Sequence, residues 1–322
     1  MEPIKEPTPL VLVTSSPHMH CGLTIGKSMR EVMLALVPAI IASVYYFRMS
    51  AAIVMVTCVV SAIVFETICN KVMHKPNTVQ DGSAALTGLL LAMCLPASMP
   101  PLFAAMGSMF AIVVGKAVFG GLGCNIFNPA HIGRAILLAS FPQQMTNWVL
   151  PATAAASDAV STATPLAVMR ATEKIWQAGG AASAAKLPDL MNLFWGNVGG
   201  SLGETCVPAL VLGGLYLIYK KLIDWRIPVF YLVTVAILTG VYGAVMGYPS
   251  TFPLYHLFAG GLMIGAFFMA TDWVTSPITK KGKIIYAIGL GVLTSLIRLR
   301  GSYTEGVCYS CLLYTSPSPR DL

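Results

Sequence analysis

The segment Asp158-Ala-Val-Ser161-Thr162-Ala163-Thr164-Pro165-Leu166 gathers three hydroxyls behind one carboxylate. Alone it reads as a Ser/Thr-rich turn leading into a short helix from Pro165, because proline suits a first helical position. A hydroxyl held on a loop beside a membrane can also carry chemistry. Thr164 can accept a group joined through a phosphoester.

A second cluster is Gly196-x-x-Gly199-Gly200-Ser201-x-Gly203-Glu204-Thr205. One reading is a turn into the next helix, capped by Ser201 or Thr205. The other is close backbone approach to a phosphate at a helix N-terminus. It is no dinucleotide fingerprint, because no strand precedes it.

Carboxylates in apolar surroundings form a third group. Asp272, in Met269-Ala-Thr-Asp272-Trp-Val-Thr-Ser276-Pro277, ends the charge-free run that begins after Arg226 and caps nothing obvious. Asp81, in Asp81-Gly82-Ser83, is its counterpart and suits an N-cap. Glu66 lies within an apolar stretch. A carboxylate inside a bilayer costs about 2.5–3.5 kcal/mol on insertion scales, so Asp272 is expected to have a role, with Asp81 and Glu66 as similar candidates. Lys116 and Arg134 either pair with acids or snorkel to one face. His18 and His20 are too few for a metal site. The eight cysteines mostly lie in or beside apolar runs, and neither disulfides nor a metal are expected. No general base or nucleophile constellation is visible, so no complete active site is expected in this chain alone.

The elements that must position these groups follow from composition. The chain has 322 residues, 56% hydrophobic and only 10% charged, with mean hydropathy +0.73. A soluble domain carries roughly 25% charge. These values exclude a water-soluble globule, a disordered chain and a small disulfide scaffold. The net charge of +7 comes from short cationic clusters between apolar runs, not from a nucleic-acid motif.

A span needs about 20 apolar residues. Charge-free gaps and Pro/Gly interruptions predict helices at 31–47, 51–70, 82–96, 101–120, 130–147, 207–223, 227–247, 253–271 and 284–300, with a tenth starting near 304. Lys5, Lys27, Arg30, Lys71, Lys75, Arg134, Lys220, Lys221, Arg226, Lys280, Lys281 and Lys283 then fall on one side, and Arg48, Arg170, Lys174, Lys186, Arg298 and Arg300 on the other. That excess puts the N-terminus inside. The fold class expected is an all-α polytopic membrane protein of about ten transmembrane helices in two inverted five-helix halves. The divisions are a segment 1–30, a first half 31–147, an external loop 148–206, a second half 207–309 and a tail 310–322.

Long stretches then carry a resemblance. They are SSPHMHCGLTIGKSMREVMLALVPA (15–39), DGSAALTGLLLAMCLP (81–96), FNPAHIGRAILLASFP (127–142), GNVGGSLGET (196–205), WRIPV (225–229), GGLMIGAFFMATDWVTSPITKKGKIIYAIGLGVLTSLIR (260–298) and GSYTEGV (301–307). Together with DAVSTATPL they resemble the RnfD family, the membrane components of the ion-translocating ferredoxin:NAD oxidoreductases called Rnf complexes. They are also similar to the NqrB components of sodium-pumping NADH:quinone reductases.

In that family a D-x-x-[ST]-x-A-[ST] motif receives FMN by its phosphate, and a flavin transferase moves the FMN from FAD. The matching residues are Asp158, Ser161, Ala163 and Thr164, with Thr164 the attachment point. Gly199, Gly200 and Ser201 are expected near the cofactor. The resemblance implies electron relay from the flavin of the neighbouring RnfG component, assembly with RnfA, RnfB, RnfC, RnfE and RnfG, and a non-covalent riboflavin between helices. It implies residence in membrane lipid, the bacterial or archaeal cytoplasmic membrane, and no nucleic-acid partner. It also implies ion uptake through the aspartate that stands here as Asp272. A secondary transporter without a redox cofactor and an unmodified structural component are the rival classes. After GSYTEGV the resemblance calls for a tenth helix. SCLLYTSPSPRDL instead looks like translated sequencing-adapter read-through, and Pro317 and Pro319 stop a helix there.

Overall fold

The computed structural model describes residues 24–76, 78–151, 161–177, 189–301 and 305–315. Asp158 lies outside them.

Helix α1 (Ile25–Val72) starts on Thr24, whose hydroxyl accepts the Lys27 N–H at 3.3 Å. Arg48 at φ 51 breaks its helical path, between the helices predicted at 31–47 and 51–70. Then come α2 (Ser83–Met93), α3 (Pro101–Ile112, continued by a π turn Val113–Ala117), α4 (Pro129–Ser140) and the short α5 (Pro142–Met145). A two-residue ribbon pairs β1 (Trp148–Val149) with β2 (Ser161–Thr162). Beyond it lie α6 (Pro165–Gln177), α7 (Leu190–Trp195), α8 (Val207–Tyr219) and α9 (Arg226–Val245). The last are α10 (Phe252–Phe258), α11 (Leu262–Ile264, continued by a π turn Gly265–Met269), α12 (Lys280–Arg300) and α13 (Val307–Leu313).

Among the described residues, α1, α9 and α12 are long and apolar enough to cross a membrane, and α10 with α11 forms a further candidate bent by 64°. Their outward faces are apolar: Leu34, Ile41, Val56, Val60, Ile237 and Val241 are all exposed. Lipid, not water, suits such a surface. Inside, glycines let backbones meet. A Cβ on Gly88 would stand 2.6 Å from the Cys58 carbonyl, and one on Gly213 would collide with that of Ala35. These contacts join α1 to α2 and to α8. Elsewhere α3 packs on α4, α9 on α10 and α12, and α4 on α13.

Three expectations are corrected. The helix predicted at 253–271 is broken, because Ala259 is extended and Gly260 takes φ +70. The helix predicted at 82–96 has 11 residues, about 16 Å, too short to span. The helix predicted at 130–147 ends at Ser140, where Phe141 leaves the helical region ahead of Pro142.

Candidate functional site

Chemically able residues collect at two ends of the bundle. Ser28 in the first turn of α1 lines a cavity, while Ser43 donates to the Leu202 carbonyl at 2.6 Å. Fifteen residues of helix separate these two serines, about 22 Å. The two ends therefore lie on opposite sides of the apolar layer.

At the Ser43 end stands Thr164. It is 3% exposed and precedes Pro165 at the start of α6. Its Oγ1 accepts the Ala167 N–H at 3.2 Å, and its carbonyl accepts the Val168 N–H. This is an N-cap: one first-turn N–H of a 13-residue helix, that of Ala167, is held by the hydroxyl. Ser161 lies on β2, with its backbone opposite Val149, and Ala163 is exposed.

The first turn of α6 rests on the broken helix. Leu166 packs with Ala259, Leu193 and Val198 in one apolar cluster, which brings the Thr164 segment beside the glycine-rich one. Further along α6, Arg170 donates to the Gly301 carbonyl, and Glu173 Oε1 lies 3.9 Å from His256 Nε2. α6 lies outside the spans, and burial lifts its Glu173 carboxyl to about 7 against the opposing pull of Arg170.

Under α6, Arg298 fills the break between α10 and α11. Its guanidinium donates to the His256 carbonyl at 2.5 Å and to the Ala259 carbonyl at 3.1 Å, the orphan acceptors at the end of α10. Arg134 pairs with Glu305 in the interior. Neither arginine snorkels; both are buried.

The glycine-rich segment folds inward as a plug. Leu202 N–H donates to the Leu95 carbonyl at 3.0 Å, and Gly203 presses on Met93 and Ile264. Gly199 and Gly200 are buried, and Glu204 Oε2 occupies the space beside Gly200. Ser201 donates to Glu204 Oε1 at 2.9 Å. The sequence reading that Ser201 or Thr205 caps the next helix is corrected. Cys206, at φ 58, takes the N-cap position of α8.

At the Ser28 end the predicted carboxylates converge. Lys116 Nζ donates to Glu66 Oε1 at 2.5 Å and to Ser83 Oγ at 2.6 Å. Ser83 Oγ donates to Asp81 Oδ1 at 2.5 Å, and Thr78 donates to Glu66 Oε1 at 2.9 Å. Asp81 Oδ1 also accepts the Ser83 N–H, but Gly82 takes the N-cap position of α2, so the N-cap expected of Asp81 is corrected to a turn contact one residue before it. Lys116 and Ser83 line a cavity of about 280 Å³ together with Asp272, Asn125 and Asn128. Asp272 does cap something: it accepts from Thr275 Oγ1 at 3.3 Å and Val274 N–H at 3.5 Å, closing the turn after α11.

Sequence reasoning missed Arg298, Glu204 and Glu305 as interior groups. Arg298 read as a flanking cation because it closes the apolar run of α12. Glu204 was read only as part of a turn. Nothing in the sequence linked Glu305 to Arg134, 171 positions away.

A helical bundle with an apolar exterior, a broken span and charges buried at both ends is a polytopic membrane protein. The sequence model of the NQR2, RnfD, RnfE family matches residues 12–319, and the chain belongs to that family. It is 50% identical over 310 residues to the D component of the proton-translocating ferredoxin:NAD(+) oxidoreductase complex of Clostridium ljungdahlii, covering 95% of this chain and 92% of that one. It is 44% identical over 310 residues to the D component of the Na(+)-translocating ferredoxin:NAD(+) oxidoreductase complex of Acetobacterium woodii, covering 95% and 91%. The D component of the ion-translocating oxidoreductase complex of Rhodobacter capsulatus is 40% identical, over 89% and 85%.

Proposed function

We propose that this chain is the RnfD-type membrane component of an ion-translocating ferredoxin:NAD oxidoreductase complex, a part of an enzyme and not a complete one. It carries FMN covalently on Thr164 and relays electrons between the ferredoxin and NAD sides while Na⁺ or H⁺ crosses the membrane. The observation that carries the flavin reading is the Thr164 hydroxyl at the first turn of α6. A phosphoester there meets the positive end of a helix dipole. Pro165 offers no N–H and the Ala167 N–H is taken by Thr164 Oγ1, so Leu166 is the first-turn donor left for a phosphate oxygen.

FMN supplies the redox centre; the protein supplies position and electrostatics. Leu166 anchors the tether point on Gly260, and Arg298 holds the carbonyls beneath it. Gly199, Gly200 and Ser201 act as a neighbouring wall, since the Glu204 carboxylate beside Gly200 does not suit a phosphate cradle. Asp158 and Ser161 complete the motif that a flavin transferase reads. The partners proposed are RnfA, RnfB, RnfC, RnfE and RnfG, with RnfG as the neighbouring flavoprotein, in the cytoplasmic membrane with the N-terminus inside. Asp272, Asp81 and Glu66 belong to the ion path.

The inverted-halves reading gains support from two cations. Lys116, late in α3, binds Ser83 at the start of the short α2. Arg298, late in α12, binds the end of α10 at the break. In each case a cation late in one helix grips a shorter one, at opposite ends of the bundle.

The test is peptide mass mapping of the chain purified with its complex. One FMN-phosphoester mass on Thr164, in the peptide between Arg134 and Arg170, is the expected result. An unmodified peptide at full recovery would overturn the reading.

A further inference from the structure

The buried Lys116 ammonium has an arrangement that no tether or capping role requires. Its ligands are oxygens, Glu66 Oε1 at 2.5 Å and Ser83 Oγ at 2.6 Å. Lysine offers three donors and no acceptor, so both partner oxygens turn lone pairs toward it, and a small cation uses the same lone pairs. Glu66 Oε2 is buried without a hydrogen-bond partner, leaving one ligand atom unused. The residue sits in a π turn, Val113–Ala117, a winding that recurs at functional sites. The site also has an exit, because Lys116 and Ser83 face the cavity that Asp272 lines.

We propose that Glu66 and Ser83 form a monovalent-cation site that Lys116 occupies as a tethered competitor of the transported ion. When Na⁺ or H⁺ binds Glu66, the ammonium withdraws into the cavity, where Asp272 supplies its second counter-charge. When the ion leaves, Lys116 returns and closes the site. A buried carboxylate thus always has a cation, and an uncompensated charge is never left in the apolar layer. This inference rests on the ion-transport part of the proposed function and is independent of flavin attachment.

Removing the competitor exposes the site to measurement. The full chain with Lys116→Met is purified and tested for binding of radioactive sodium at pH 8, with choline chloride as the control salt. The expected result is saturable binding of about one Na⁺ per chain, absent in the double variant Lys116→Met/Glu66→Gln. A proton-selective site instead gives no Na⁺ binding but a protonated Glu66 carboxyl band in infrared difference spectra, lost in the double variant. Either arm supports the proposal and names the ion. It is overturned if Lys116→Met shows neither, or if the double variant still binds.

If Lys116→Met does not fold, the wild-type chain supplies the test. Acetylation of Lys116, read by mass spectrometry, rises several-fold with NaCl over choline chloride for a sodium site, or with acidification over pH 6–8 relative to Lys283 for a proton site. A rate unmoved by both overturns the proposal. A dark, flavin-free Thr164 leaves these outcomes untouched, so the two readings fail separately.

Discussion

Leu166 Cδ1 stands 2.7 Å from where a Cβ on Gly260 would lie, and Arg298 Nη2 stands 2.9 Å from the same point. One glycine therefore seats both the helix that carries Thr164 and the guanidinium that fills the helix break. Gly260 also has φ +70, where an L side chain is strained. Gly260→Ala is expected to destabilise the chain by about 2 kcal/mol from strain and crowding together. A thermal melt in detergent checks it. Adding Leu166→Ala restores part of the loss if crowding contributes, and none if strain alone does.

The Lys116–Glu66 pair gives an asymmetric prediction. Glu66→Gln leaves the Lys116 ammonium buried and uncompensated, and Lys116→Met leaves Glu66 so until Na⁺ or H⁺ binds it, a cost of about 3–5 kcal/mol. The double variant removes both charges and is expected to recover most of it. Melting temperatures of the two single variants and the double decide this. Additive losses contradict the pairing.

Arg298 predicts a defect that lysine does not repair. Its planar fork reaches two carbonyls, those of His256 and Ala259. A lysine is a point charge without that geometry. Arg298→Lys is expected to raise hydrogen exchange across 256–264 by at least tenfold, while α1 keeps its protection. Unchanged exchange at the break would show that the carbonyls need no clamp.

Glu173 predicts a pH dependence. Its carboxyl is held at about 7 in the fold against an ordinary 4.5. Below 4.5 it is neutral in both states and has no effect. As pH rises toward 7 the unfolded chain ionises first, so the docked α6 loses stability, and the loss is complete above 7. Limited proteolysis within α6 should quicken from pH 5 to pH 8. Glu173→Gln should flatten that profile, with His256 beside it unchanged in sequence.

Much of the helical plan was legible because it rests on apolar run length. Charges bracket α1, α9 and α12, and the break at Arg48 fell between two predicted spans. The break in α10–α11 was not legible. GGLMIG reads as ordinary apolar helix, and only Gly260 at positive φ with Arg298 beneath it reveals the turn. The short α2 was hidden for a similar reason. Its sequence stays apolar to Leu95, and it stops ahead of Pro96, where the Leu95 carbonyl accepts the Leu202 N–H of the plug instead of a helical one. For the proposed site, Thr164 was singled out by the family resemblance, and Asp81, Glu66 and Asp272 by charge in apolar context. The partners were not, since Lys116 lies 50 positions from Glu66 and 33 from Ser83.

The central claim is the covalent flavin on Thr164. The direct test is in-gel flavin fluorescence after denaturation, with wild type, Thr164→Ser and Thr164→Val each co-expressed with a flavin transferase. Thr164→Ser keeps both the cap and the nucleophilic hydroxyl, while Thr164→Val loses the hydroxyl and about 1 kcal/mol of capping. The account predicts fluorescent wild type, a fluorescent or dimmed serine variant and a dark valine variant at equal protein loading. A fluorescent Thr164→Val band, or a dark wild type beside a labelled control protein, contradicts it.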